Sequence, residues 1–487
     1  MIKFLPIIFC FFLLTACSGG GGGGSDAAPS PSVASSTASA TGTASSVPST
    51  KTGTTSGSAT ASTTGSTTAS TKAATKGTTT ATAASTTLET TPAPATSDAS
   101  SPLPTSTESS KPEQTAAFVL PAGARRLVQP ASTDTSSDLS TESQLLIDCV
   151  VLLKEEAGCS ADTLPLIGMV TDNPSIEQIM QRVLVSHAWM GPRFREILER
   201  MPPEMLLLMR GVTAIVISFD IRPSHFQPYS GAIYLDPNVM WLSQDERDAI
   251  EDTPDFRTDF NAQLQFSFLR RYVDGNTDIK SFPRGISSIS IKTASVLYHE
   301  LAHANDFFSP ANLQQVNRSV PIHLSLSQVS PSSRLSSTYP LQSFTLNALA
   351  AVSFLGESAS LEQETLSAAD AAAQFSADYS SDYYNYTNRI EDLAMVFEEA
   401  MMFHSFGLQK DVAFTQTGNT SCSGYIVEWG QRNRLADPAV QTRANFAVAE
   451  LLPEYAVAVE NSLASMPAVR MMSNGVDWCE NIRFDVG

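Results

Sequence analysis

Between Phe12 and Phe118 the chain has no aromatic residue. After Cys17 that stretch offers only Val33, Val47, Leu88 and Leu103 as large aliphatics. Such a segment buries too little apolar surface to offset the entropy of ordering it, so a packed core is excluded there and a disordered tether is predicted. Gly19 to Gly24 open it, and a Ser/Thr/Ala tract with scattered prolines continues it. A hundred flexible residues have an r.m.s. span of about 50–60 Å.

Other scarcities narrow the function classes. The one marked apolar run outside the later part of the chain, Phe4 to Leu14 behind Lys3, is too short to span a bilayer and reads as an export signal. Basic residues number 30 against 49 acidic ones. Residues 1–117 hold five of each sign, so the rest carries the whole net charge of −19. That sign excludes a nucleic-acid backbone as a partner. Six cysteines include no C-x-x-C pair, which argues against a cysteine zinc site. Cys10 lies in the signal and Cys17 just after it. The remaining Cys149, Cys159, Cys422 and Cys479 predict two disulfides in an oxidising compartment. Three connectivities are open, and proximity in sequence favours Cys149–Cys159 with Cys422–Cys479. The first pair requires a chain reversal, because a continuous helix would hold its Cα atoms out of reach; Ala157-Gly158 can supply one.

Leu14-Thr15-Ala16-Cys17 resembles the lipobox of bacterial lipoproteins. The resemblance implies a signal peptide over 1–16, cleavage before Cys17 and lipidation of that residue. Acyl chains would then anchor the protein to a membrane. Ser18 in the next position is compatible with sorting to the outer membrane. An ordinary secretory signal is the alternative. The organisation expected is therefore a lipidated Cys17 and tether over 17–140, followed by one folded domain over 141–487.

Histidine is scarce too, with six in 487 residues, yet two of them stand in His299-Glu300-Leu301-Ala302-His303. The run from Thr293 to Phe308 contains neither Pro nor Gly and is predicted as a helix. Residues four apart share a helical face, so both imidazoles can reach one metal ion. Glu300 points to the neighbouring face, where it can take a proton from a water that the metal activates. The alternative is a surface helix that carries His, Glu and His by chance.

Around that motif the pattern predicts helices over 142–156, 175–200 (one or two) and 389–404, the last with Gly407 as terminator. Val212 to Ser218 and Gly231 to Asp236 read as buried strands, and Ile286 to Ile291 as a half-buried strand just before the motif. Strands followed by an H-E-x-x-H helix resemble the zincin metallopeptidases. The fold class this implies is α+β: a small mixed sheet, the H-E-x-x-H helix, a second ligand-bearing helix and a mostly helical remainder. An edge strand would line the cleft.

A catalytic zinc takes three protein ligands. The metzincin pattern needs Gly at 306 and His or Asp at 309, where this chain has Asp306 and Ser309. The aspzincin pattern is absent, although Asp378 and Asp382 lie in a tyrosine-rich stretch. The gluzincin pattern places Glu on a downstream helix, and Arg389 to His404 fits; its Glu391-Asp392-Leu393-Ala394 opening resembles an element of several zincin-like peptidases. The resemblance implies one Zn²⁺ held by His299, His303 and Glu391, with Glu300 as base. Asp392 and Asp306 are candidates to orient the imidazoles, and Tyr383, Tyr384 and Tyr386 to stabilise an oxyanion, with ordinary packing the alternative for each tyrosine. Glu398 and Glu399 compete with Glu391 as ligand. His187 reads as a packing residue, and His225 and His323 as exposed loop residues. His404 lies about 20 Å beyond Glu391 along the helix, too far for co-ligation.

The function expected is hydrolysis of a peptide bond in the bacterial envelope, with a peptide or protein as substrate. The alternatives are an inactive zincin-fold binding lipoprotein and a zinc amidase acting on cell-wall peptides.

Overall fold

The computed structural model describes residues 129–130, 141–152, 158–326, 329–418 and 421–484. The signal segment, Cys17 and the tether up to 128 lie outside them.

The two runs read as buried strands lie in the interior of a mixed sheet. Its five strands are β1 (Gln129–Pro130), β2 (Val183–Val185), β3 (Ile215–Ile217), β4 (His225–Gln227) and β5 (Ala232–Leu235), in the order β1-β2-β3-β5-β4. β2, β3 and β5 run parallel, while β1 and β4 form antiparallel edges. Both faces are covered, which suits strands that are apolar at every position. Val183, Val185, Ile215, Ile217, Ile233 and Leu235 enter the main core with the H-E-x-x-H helix. Leu184, Val216, Ala232 and Tyr234 point the other way, onto Leu146, Cys149, Val150 and Val151. Those last residues belong to the helical segment Thr141–Val151, whose final turn is a π-helix. The expected helix over 142–156 therefore holds to Val151, and 153–157 lie outside the described residues.

The domain boundary at 141 is too late. Gln129–Pro130, assigned above to the tether, pairs with Leu184 and Val185. An open edge of β2 presents unpaired backbone groups, and even a short polar segment can satisfy them through its own backbone.

Ile286–Ile291 is helix, not strand. It forms the first turns of the motif helix, Ile286–Phe307. The alternation Ser288-Ile289-Ser290-Ile291 mimics a strand, but the serines serve the helix backbone. Ser288 Oγ accepts the Gly285 N–H at 3.1 Å, and Ser290 Oγ donates to the Ile286 carbonyl at 2.7 Å. With no Pro or Gly to stop it, helix runs unbroken to the motif.

Alongside its helices the remainder holds a second sheet. Strands β6 (Phe266–Asp274), β7 (Thr277–Asp278), β8 (Gln409–Gln416), β9 (Val427–Arg432) and β10 (Arg470–Met471) run antiparallel in the order β10-β9-β8-β6-β7. Phe266, Val412 and Phe414 pack on the helices Phe344–Leu355 and Ala368–Ser376. Leu269, Ala413 and Val427 face Met472 and Trp478. Tyr272, near the end of β6, joins the main core instead. The two expected cysteine pairs stand at disulfide distance: Cys149–Cys159 with Cα atoms 5.4 Å apart, and Cys422–Cys479 at 5.5 Å. Gly158, at φ +74°, provides the reversal before Cys159. No helix among the described residues is long and apolar enough to cross a membrane.

Candidate metal centre

Two long helices build the site. The acidic helix, Arg389–Phe406, begins where the Asn388 side chain accepts the N–H groups of Ile390 and Glu391. It ends at Gly407, whose φ of +66° suits glycine. Its face carrying Leu393, Ala394, Val396 and Phe397 shares the main core with Leu297, Leu301 and Ala302 of the motif helix. The motif helix is fixed from another side at Gly211, where a Cβ would meet Asn305 and Ala304 at 3.1–3.2 Å. Asn305 also donates to the Leu208 carbonyl at 2.9 Å.

These contacts bring His299, His303 and Glu391 together. Glu391 Oε2 lies 3.1 Å from His299 Nε2 and 3.4 Å from His303 Nε2, and the two nitrogens are 3.2 Å apart. The rings stand nearly perpendicular, at 88°. All three residues are at most 3% exposed. Two imidazole nitrogens and a carboxylate oxygen converging in a buried position are a poor hydrogen-bonded set: Nε2 faces Nε2, and neither Nδ1 has a hydrogen-bond partner. One divalent cation would satisfy all three donors at once, and N/N/O ligation suits zinc. Among the described residues this trio forms a group of metal-ligating type.

The electrostatics follow from burial and proximity. Burial works against the charged form of Glu391, but His303 and His299 beside it hold its carboxyl down to about 2. Burial also opposes a charge on His299, yet Glu391 and Glu398 raise its pKa well above the usual imidazole range. Glu300 is 1% exposed, and one carboxylate oxygen has no hydrogen-bond partner. Burial pushes it up to about 8, opposed by His299 and by the Phe226 N–H of edge strand β4. A buried carboxyl with an unpaired oxygen, beside a candidate ligand set and with its pKa raised by burial, is suited to proton transfer.

The residues expected to orient the imidazoles do something else. Asp392 accepts from Asn385 Nδ2 at 2.9 Å and pairs with the buried Arg443, which also donates to the carbonyls of Tyr339 and Tyr379. It lies about 100° around the helix from Glu391 and ties helices together. Asp306 is buried and accepts from the N–H and Oγ of Ser332, both at 2.7 Å. Its two oxygens are thus spent on anchoring the following helix, Pro331–Thr338.

Of the three tyrosines, Tyr384 comes nearest, its ring 6.4 Å from that of His299. Arg270 stacks over the same ring at 5.6 Å. Tyr383 turns away to Ser353 Oγ at 3.2 Å, and Tyr386 packs against Phe375. His187 packs edge-on against Phe219. His225 and His323 are half-buried and not exposed, because their rings lie against Tyr234 and Tyr229. His404 bonds Ser462 Oγ at 2.8 Å, outside the cluster.

Glu398 has a place that sequence reasoning missed. Its Oε2 lies 3.4 Å from His299 Nδ1, the nitrogen opposite the cluster. Its spacing of seven from Glu391 carried the signal, since that spacing keeps both on one face of the helix. No protein-family model, curated protein or solved structure matches this chain.

Proposed function

We propose that the chain is a zinc-dependent hydrolase of gluzincin-like design, lipid-anchored through Cys17 in the bacterial envelope and cutting peptide bonds. The observation that carries this reading is the convergence of His299 Nε2, His303 Nε2 and Glu391 Oε2 beside a buried Glu300 with one unpaired oxygen. Zinc, when bound, supplies Lewis-acid polarisation of a carbonyl and of water, and its charge lowers the pKa of Glu300 from about 8.

The remaining work falls to the chain's own groups. His299, His303 and Glu391 hold the cation. Glu300 takes a proton from the attacking water and returns it to the leaving amine nitrogen. Tyr384 is the nearest of the three tyrosines to the cluster and is the candidate donor to the oxyanion. β4 is an antiparallel edge strand whose Phe226 N–H faces Glu300, so an extended peptide alongside it would run past the base.

One observation favours a second reading. His299, Glu300, His303 and Glu391 are all at most 3% exposed. Hydrolysis requires that cover to open, whereas a binding lipoprotein with a structural zinc does not. Incubating the zinc-loaded chain with a mixture of unstructured peptides and sequencing the products by mass spectrometry separates the two. Cleavage that disappears in Glu300→Gln supports the hydrolase, and a zinc-loaded, folded protein that cuts nothing supports the binding protein. Cleavage restricted to D-amino-acid peptides of cell-wall type would favour the amidase.

A further inference from the structure

We propose that Glu398 is the positioning residue that holds His299 in the tautomer a cation needs; the inference rests on the zinc reading above. Glu398 is buried, and its two oxygens have different surroundings. Oε1 accepts the Tyr272 hydroxyl from β6 at 3.1 Å and the Ser295 hydroxyl, one turn before His299 on the motif helix, at 2.5 Å. Donors from two elements thereby fix the plane of the carboxylate. Oε2 is left facing His299 Nδ1 at 3.4 Å, within ion-pair range and a small shift from a hydrogen bond.

An ionised carboxylate only accepts. Placed at Nδ1, it keeps a proton on that nitrogen, so that Nε2, on the side of His303 and Glu391, is the nitrogen whose lone pair a cation would take. The two histidines of the motif are therefore not equivalent. Neither Nδ1 has a hydrogen-bond partner, but His299 Nδ1 faces the Glu398 carboxylate at 3.4 Å, and His303 Nδ1 has no ion pair of that kind among the described residues. His299 is accordingly the rigid ligand of the pair.

The contact pattern also predicts how an isosteric change fails. In Glu398→Gln the amide oxygen stays with the two hydroxyls of Tyr272 and Ser295, so the NH₂ group turns to Nδ1. A donor there drives the ring proton to Nε2 and blocks the lone pair. The change removes no volume, and its effect on the metal passes through the tautomer.

The test uses the full chain and zinc alone as the probe. Equilibrium titration against a competing chelator is expected to show zinc binding about 10–100-fold weaker in Glu398→Gln than in the wild type. In zinc-loaded wild type, imidazole-tuned ¹⁵N NMR is expected to show the His299 Nδ1 proton in slow exchange, and that resonance should shift or vanish in the variant. Unchanged affinity in a folded Glu398→Gln overturns the proposal. Should the variant fail to fold, the wild-type spectrum decides, since zinc-loaded protein without a retained His299 Nδ1 proton overturns the proposal too. A wild type that binds no zinc overturns the zinc reading itself, which is a different failure from a zinc-loaded wild type indifferent to Glu398.

Discussion

Glu391 Oε2 lies 3.1 Å from His299 Nε2, although 92 residues separate the two in the chain. The pairing joins the motif helix to the acidic helix at the point where both are buried. It also makes Glu391 the carboxylate shared by both imidazoles, which neither Glu398 nor Glu399 is. Glu391→Ala is therefore expected to weaken zinc binding by more than the ~10–100-fold that losing an outer partner costs. Glu399→Ala should leave the affinity near that of the wild type. Zinc titrations of the two variants check this, and a reversed order would remove Glu391 from the ligand set.

Asp392→Ala is expected to act on stability and not on metal affinity. The substitution strands the guanidinium of Arg443, which is 1% exposed. Breaking one side of a buried ion pair costs about 3–5 kcal/mol. Denaturant unfolding of the variant beside Arg443→Met, which removes the other charge, measures the effect. A fully stable Asp392→Ala with lost zinc binding would return Asp392 to the site.

The extent of the acidic helix was legible because Gly407 stops it, and the Asn388 cap at its start agrees with that reading. Asp392 was misread for a reason that sequence does not hold. A shift of one residue rotates a side chain by about 100° around the helix, and only the packing shows that Arg443 waits on that side. The second sheet was hidden by the same kind of long-range pairing. The second and third residues of β8, Lys410 and Asp411, are both buried, and Arg271 and Arg432 from its two neighbours satisfy Asp411. Charged residues at interior strand positions break the alternation that marks a strand, and their partners lie 140 and 21 residues away. Ile286–Ile291 erred in the opposite sense, since serines at alternate positions copied a strand while bonding within a helix.

Stability should fall with rising pH through Glu399. Burial raises its carboxyl from an ordinary 4.5 to about 7, with Lys410 3.6 Å away opposing the shift. A raised folded-state pKa means the folded chain holds a proton that the unfolded chain has released. Its stabilisation is complete below the ordinary value and is lost as pH climbs through about 7. Glu399→Gln keeps a neutral group at every pH. The wild type should lose stability relative to this variant by up to about 1.4 kcal/mol per pH unit across that window. Urea unfolding of both proteins in steps of pH checks it, and parallel curves would contradict it.

Glu300→Gln should retain zinc and fold, because Glu300 Oε2 has no hydrogen-bond partner to lose and the residue is not among the three converging side chains. Turnover of any cleavable peptide should fall by about 10²–10⁴, the scale of losing a general base. Peptide cleavage assays on zinc-loaded protein measure it, and undiminished turnover would take Glu300 out of the mechanism.

The central claim is that His299, His303 and Glu391 form one zinc site, and metal content tests it most directly. Elemental analysis of the purified chain after zinc loading and exhaustive buffer exchange should find one zinc per chain. The same treatment of His299→Ala and Glu391→Ala, each verified as folded, should find the metal largely gone. A wild type that retains no zinc, or folded variants that retain it undiminished, would contradict the account.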